Sequence, residues 1–346
     1  MPAKHHAQAR RSKHAALIAL ALIIVGEACL LLSPDLLASL LGKPPKIHSS
    51  ADYAKAKDYW KVEIDKVGTA EAYDYFKKDT WNRKFGEAHT LAHIFGDLIY
   101  EKEGVQGVVD CDSAFAYGCY HSFFGAAIAD KGIGVVSELA DACVKRFGMD
   151  IGCAHGIGHG LLGYMGDEKL LDALKICKTL PWKNPFGGCE SGVFMEFNFH
   201  TMRNVDSSDQ RPFDPKNPND PCNRLPKEYG VPCYFEQPQW CLNALAIGNS
   251  GDYLSTGLLC KALDDDAERN ACYVGIGKIA APDASYNVSV TKGFCSKLPD
   301  SHAVALCLQN ASWVFYGEPR AKADASKVCE ELSEKERALC APPIRA

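Results

Sequence analysis

The chain contains no Cys-x-x-Cys anywhere. That absence excludes the usual cysteine-ligated zinc modules, and without Cys-x-x-Cys-His there is no site for covalent haem attachment. No serine or cysteine nucleophile with a matched base stands out. The glycines of His155-Gly-Ile-Gly-His-Gly follow no strand pattern, which argues for helix packing rather than a phosphate loop. Net basic charge is lacking beyond the N-terminus. Lys4, Arg10, Arg11 and Lys13 precede Ala15 with no acid among them, leaving about −9 for the rest of a chain whose total is −5. A mildly acidic body is poorly suited to nucleic acid or an anionic membrane surface, so neither is an expected partner.

Long apolar runs are also scarce, apart from Ala15 to Leu32, interrupted by Gly26 and Glu27. Its length is that of a short membrane span, and no small-x-small cleavage site follows closely. The expected organisation is a basic cytoplasmic arm at 1–14, an uncleaved transmembrane signal-anchor at 15–33 and a linker at 34–50. Pro44 and Pro45 close off any helix in that linker. The bulk of the chain then lies outside the cytoplasm, periplasmic or extracellular, with the membrane as a partner through the N-terminal helix.

Cysteine is abundant instead. There are sixteen, and fifteen of them spread from Cys111 to Cys340. In a chain of 346 residues this predicts structural disulfides and an oxidising compartment. Seven pairs can be laid out as 111/119, 143/153, 177/189, 222/233, 260/272, 295/307 and 329/340, with Cys241 left over. Their second members recur at intervals of 34, 36, 44, 39, 35 and 33 residues. A period in the mid-thirties marks a helix-hairpin solenoid. Several first cysteines end an amphipathic helix, and most second cysteines open an apolar, glycine-containing one. Each bridge is expected to contribute about 2–3 kcal/mol through the unfolded chain.

The fold class read from this pattern is all-α: a helix-hairpin repeat solenoid stapled by disulfides, with an N-terminal transmembrane helix. Residues 51–104 supply amphipathic helices that cap the array, and 105–345 form the repeat domain. Within it a proline-rich insertion at 203–232 lengthens one interval. In its period, paired cysteines and hairpin pattern, the stretch 105–345 resembles the disulfide-linked Sel1-like and tetratricopeptide-like repeat proteins. That resemblance implies an adaptor or scaffold, with a peptide or protein partner on the repeat face.

Histidine supplies the chemical signal. Beyond the arm and linker seven remain, and five of them lie between 89 and 159. His89 and His93 are four residues apart, as are His155 and His159, so each pair shares one helix face. His121 and His155 both stand two residues after the second cysteine of their pair and should line one surface. If the His89 helix packs there, the imidazoles converge. Imidazole suits a divalent transition metal, Zn, Fe or Cu. The candidate ligands are His89, His93, His121, His155 and His159, with Glu190 and Glu196 placed to complete the set. Glu87, Asp97 and Glu236 lie nearby in the repeat register, and Gly125, at the position matching His159, should leave room for it or for a ligand. The aromatics Phe95, Tyr120, Phe123, Phe124 and Tyr164 read as core. Two functions follow: a metal site serving hydrolysis, oxidation or oxygenation, or a scaffold binding a peptide or envelope protein with structural histidines.

Overall fold

The computed structural model describes residues 50–341 apart from 82, 84, 203–209 and 245–251. The arm, the anchor and nearly all of the linker lie outside these residues. Among the described residues no helix is long and apolar enough to cross a membrane, and none is in a strand.

The chain divides into Met1–Val62 and Glu63–Ala346. The described part of the first unit is helical throughout, within α1 (Ser50–Val67). The second unit carries everything that follows.

It begins with α2 (Thr69–Thr80) and α3 (Phe85–Glu103). Seven helices then form one row, each packed on the next: α3, α4 (Ala114–Lys131), α6 (Ile151–Met165), α8 (Cys189–Phe199), α9 (Gly230–Ala244), α11 (Asp266–Asp283) and α13 (Ser301–Gly317). Between them come shorter elements: a 3₁₀ segment at Gly104–Asp110, α5 (Val136–Phe147), α7 (Leu170–Thr179), α10 (Tyr253–Lys261) and α12 (Val288–Cys295), and a 3₁₀ segment at Lys322–Cys329 follows the last row helix. A short α14 (Glu334–Arg337) closes the array.

All seven cysteine pairs are disulfides, with Cα atoms 5.5–6.6 Å apart. Four of them join the body or end of a short helix to the first half of the next row helix. The last instead ties Cys329 to Cys340, beyond α14 rather than at the head of an apolar helix. Cys241 is free and buried, and burial pushes its thiol up to about 12.

Two physical devices fix the row. Aspartate caps begin several helices: Asp150 accepts from Gly152 N, Asp265 from Ala267 N and Glu268 N, and Asp300 from Ala303 N. Such caps satisfy backbone donors that a helix start leaves open, each worth about 1 kcal/mol. Glycine sets the approach at the α6–α8 contact. A Cβ on Gly158 would overlap the Cys189 carbonyl, and one on Gly192 the His155 carbonyl. The two backbones touch, which brings the side chains flanking those glycines together.

Aromatics fill the head of the row. Phe76, Phe95 and Phe115 are buried, with Phe76 4.7 Å from Phe95 and 5.5 Å from Phe115 between ring centroids. Phe95, Tyr120, Phe123 and Phe124 are core as expected, whereas Tyr164 is 52 % exposed. It stands in the last turn of α6, at the surface. In the proline-rich insertion, residues 210–229 run over α8 and α9 without a long helix, and 230–232 already belong to α9. Arg211 stacks 3.7 Å over the Trp240 ring and accepts the indole N–H on its carbonyl at 2.7 Å, pinning the segment down.

Candidate metal centre

The five clustered histidines come from three consecutive row helices. His89 and His93 project from α3, His121 from α4, and His155 and His159 from α6. They form two sets, His89–His93–His121 and His121–His155–His159, each with one nitrogen per residue within 4.8 Å of the others. His121 belongs to both. Ring centroids run in a chain from His93 and His89 (4.8 Å) to His121 (5.1 Å from His89), and on to His159 (4.4 Å) and His155 (4.8 Å beyond it). Buried transition-metal sites of this donor type are therefore compatible with the arrangement, and both triads could hold an ion.

Spacing within the pairs supports that directly. His93 Nε2 lies 3.3 Å from His89 Nε2, and His159 Nε2 lies 3.2 Å from His155 Nε2. Two nitrogens bound to one tetrahedral ion at roughly 2.0–2.1 Å each stand about 3.3 Å apart. The i, i+4 pairs are already at the separation of neighbouring ligands.

Outer contacts orient one histidine of each pair. His89 Nδ1 is 2.7 Å from the Phe115 carbonyl, which can only accept, so Nδ1 carries the proton and Nε2 the lone pair. That carbonyl is presented by an unusual backbone. Phe115, Ala116 and Tyr117 adopt φ of 54°, 50° and 64°, a left-handed turn of non-glycine residues. Each such residue costs about 1–2 kcal/mol. The Cys111–Cys119 bridge encloses the turn, and Phe76 packs on its first residue. His159 Nδ1 donates to Glu196 Oε2 at 3.1 Å. Glu196 is wholly buried and also accepts from Thr201 Oγ1 at 2.6 Å and Met202 N at 3.0 Å. A carboxylate held this way fixes the histidine tautomer and frees Nε2 toward an ion.

His121 has no such partner. It is 2 % exposed, and neither ring nitrogen makes a hydrogen bond. Leaving a buried polar atom unpaired costs about 1–3 kcal/mol, and an ion at either nitrogen would relieve it. The residues present thus fit a metal.

Electrostatics keep the donors neutral. Burial holds His89 below the usual histidine range, with the Phe115 carbonyl opposing it. His93, His121 and His155 fall well below that range, first through burial and then through neighbouring imidazoles. His159 drops to about 3 through burial, with His89 and the Lys278 ammonium adding to it. Neutral imidazole is the ligating form.

The carboxylates separate. Glu196 supports His159 from behind. Glu190 turns away, forming a 3.1 Å ion pair with Lys178 and lining a cavity of about 280 Å³ with Trp182 and Pro232. The two are six residues apart, which on a helix is about 120° of rotation. Glu87 pairs with Arg83 at 2.8 Å, and Asp97 accepts from Ser122 Oγ. The space beside Gly125 is taken by the Met202 side chain, its sulfur 2.7 Å from where a Cβ would be. His200 bonds Asp167 at 2.9 Å and His302 bonds Asn270 at 2.9 Å, both apart from the cluster.

Three participants escape sequence reasoning. Thr201 and Met202 hold Glu196 from the segment after α8. Lys278, paired with the buried carboxylate of Glu236, acts on His155 and His159 from α11. Lys278 stands six residues after its cysteine, as His159 does, and that shared register was the available signal. Comparison of the chain with protein-family models, curated proteins and solved structures gives no match.

Proposed function

We propose that this protein is a membrane-anchored, extracytoplasmic metalloprotein that binds a divalent transition metal, Zn, Fe or Cu, through its buried histidines. The observation that carries the reading is the pair of Nε2–Nε2 separations, 3.3 and 3.2 Å, matched to ligands on one ion. An all-imidazole donor set favours these ions over Mg, Ca or Mn, which prefer oxygen. Such an ion supplies Lewis acidity or redox chemistry, the basis of hydrolase or oxidase/oxygenase activity. The chain's own part is to keep the imidazoles neutral, to fix the tautomers of His89 and His159, and to hold Lys278 on the α11 side as a cation. Seven disulfides favour an oxidising compartment, and the apolar run at 15–32 supports the anchor.

A second reading rests on the row of stapled hairpins. It makes the chain a non-catalytic scaffold akin to Sel1-like and tetratricopeptide-like proteins, with a peptide or envelope protein on its repeat face. Elemental analysis of the full-length protein, purified in detergent without chelator, separates the two. Near-stoichiometric Zn, Fe or Cu supports the metal reading; trace metal with no uptake on reconstitution leaves the scaffold.

A further inference from the structure

We infer that the site is dinuclear: two ions, one in each triad, joined through the ring of His121. The inference rests on the metal reading above and goes beyond it in number and connectivity. Three observations carry it.

The five histidines do not collapse into one donor set. They separate into His89–His93–His121 and His121–His155–His159, and among the described residues no larger group of donor atoms satisfies the same 4.8 Å spacing. A single ion taking all five would require the two pairs to move toward each other. Yet α4 is clamped between α3 and α6 by backbone contact. A Cβ on Gly96 would overlap the Cys119 carbonyl, and one on Gly156 would sit 3.1 Å from the Tyr120 carbonyl.

Each pair is also separately equipped. His89 is oriented by the Phe115 carbonyl and His159 by Glu196, from opposite sides of the cluster. A ligating histidine takes its own outer partner, so each pair carries one oriented ligand. Each pair independently shows ligand spacing, 3.3 and 3.2 Å.

His121 supplies what both sets lack. Each pair gives two nitrogens, and a catalytic site takes three protein ligands with a fourth position open. The ring of His121 stands between the pairs, 5.1 Å from His89 and 4.4 Å from His159 by centroids. Both of its nitrogens are buried and without a hydrogen-bond partner. Imidazole has one lone pair in its neutral form. When the second nitrogen–metal bond forms, the N–H bond of His121 breaks and its proton leaves to solvent, with no change of oxidation state. The ring then serves both ions, and both orphaned nitrogens are satisfied.

The test uses full-length protein loaded with excess Zn(II) or Cu(II) and freed of loosely held metal by gel filtration. Two equivalents per chain are expected, falling to one in His93→Ala and in His155→Ala and to none in the double variant. With Cu(II), the bridged pair should show an electron paramagnetic resonance signal well below that of two isolated ions. Either single variant should restore the signal of one uncoupled ion. Circular dichroism of each variant checks folding, and a variant that fails to fold is replaced by His93→Gln or His155→Gln. One equivalent in the parent protein, lost in both single variants, overturns the dinuclear site while leaving the metal reading intact. Two equivalents with full uncoupled intensity overturn the bridge. No bound metal at all overturns both readings.

Discussion

The two halves of the helix row share one architecture and differ in chemistry. In both, a disulfide ties a short element to a long apolar helix, and adjacent long helices touch through glycine. In the first half the position two after the second cysteine is His121, His155 or Ser191; in the second half it is Phe235, Val274 or Gln309. Six after that cysteine stands His159 in one half and Lys278 in the other. The first half gathers neutral imidazoles with an unpaired ring at their centre. The second pairs some of its buried polar groups internally, as Lys278 does with Glu236 and Asn310 does with the Val274 carbonyl at 2.9 Å, while the Thr256 and Tyr273 hydroxyls there make no hydrogen bond. Stapling therefore does not create the site. It provides equal seats along a row, and side chains decide which seats hold chemistry.

Four experiments bear on that contrast. The largest effect is expected in the second half. Lys278→Met leaves the Glu236 carboxylate, buried to 0 % side-chain exposure, without its cation and should destabilise the fold by about 3–5 kcal/mol in chemical denaturation. Adding Glu236→Leu should recover most of that loss. No recovery would mean that Lys278 matters for another reason, such as its proximity to the histidines.

His121→Phe places in the first half what the second carries at Phe235. Metal affinity should fall more than about 100-fold, beyond the range usual for outer-shell changes, while the helical signal is retained. Val274→His should bring no metal to the second half, because no paired histidines face it. Uptake there would break the comparison.

Glu196→Gln keeps the shape but weakens the support of His159 and should cost about 10–100-fold in metal affinity, read by competition with a chelator. Glu190→Gln, at the Lys178 pair, should leave affinity unchanged. Equal losses from both would remove the distinction between the two carboxylates.

The most gradual effect, spread over several pH units, is the acid sensitivity of metal-free protein. All five histidines are depressed in the folded state, so below about pH 6.5 the unfolded chain binds protons that the folded chain does not. Stability should be full above that pH and fall as pH drops toward about 3, where His159 titrates. A single such group contributes up to about 1.4 kcal/mol per pH unit. Denaturation midpoints that stay flat between pH 7 and 5 would contradict neutral buried imidazoles.

Local periodicities explain how much could be read in advance. The seven cysteine pairs follow from a repeat carried by the sequence itself, and the i, i+4 histidines from the pitch of a helix. The register two residues past a cysteine likewise put His121 beside His155. Neighbourhood in the chain groups Glu190 with the histidines, but rotation about α8 sends it to Lys178. Gly125 looked like free space because sequence register shows which positions align and not what arrives from a distant loop, here Met202.

By itself, then, the sequence determined the helices, their pairing through cysteine and the clustering of histidine, since each is a regularity of neighbours along the chain. The tertiary structure alone decided that α3 lies against α4, bringing His89 and His93 within reach of His121. It also decided that a left-handed turn offers the Phe115 carbonyl to His89, and that Glu196 supports His159. These depend on how closely backbones approach and which face each helix turns, and those are settled by packing across elements far apart in sequence.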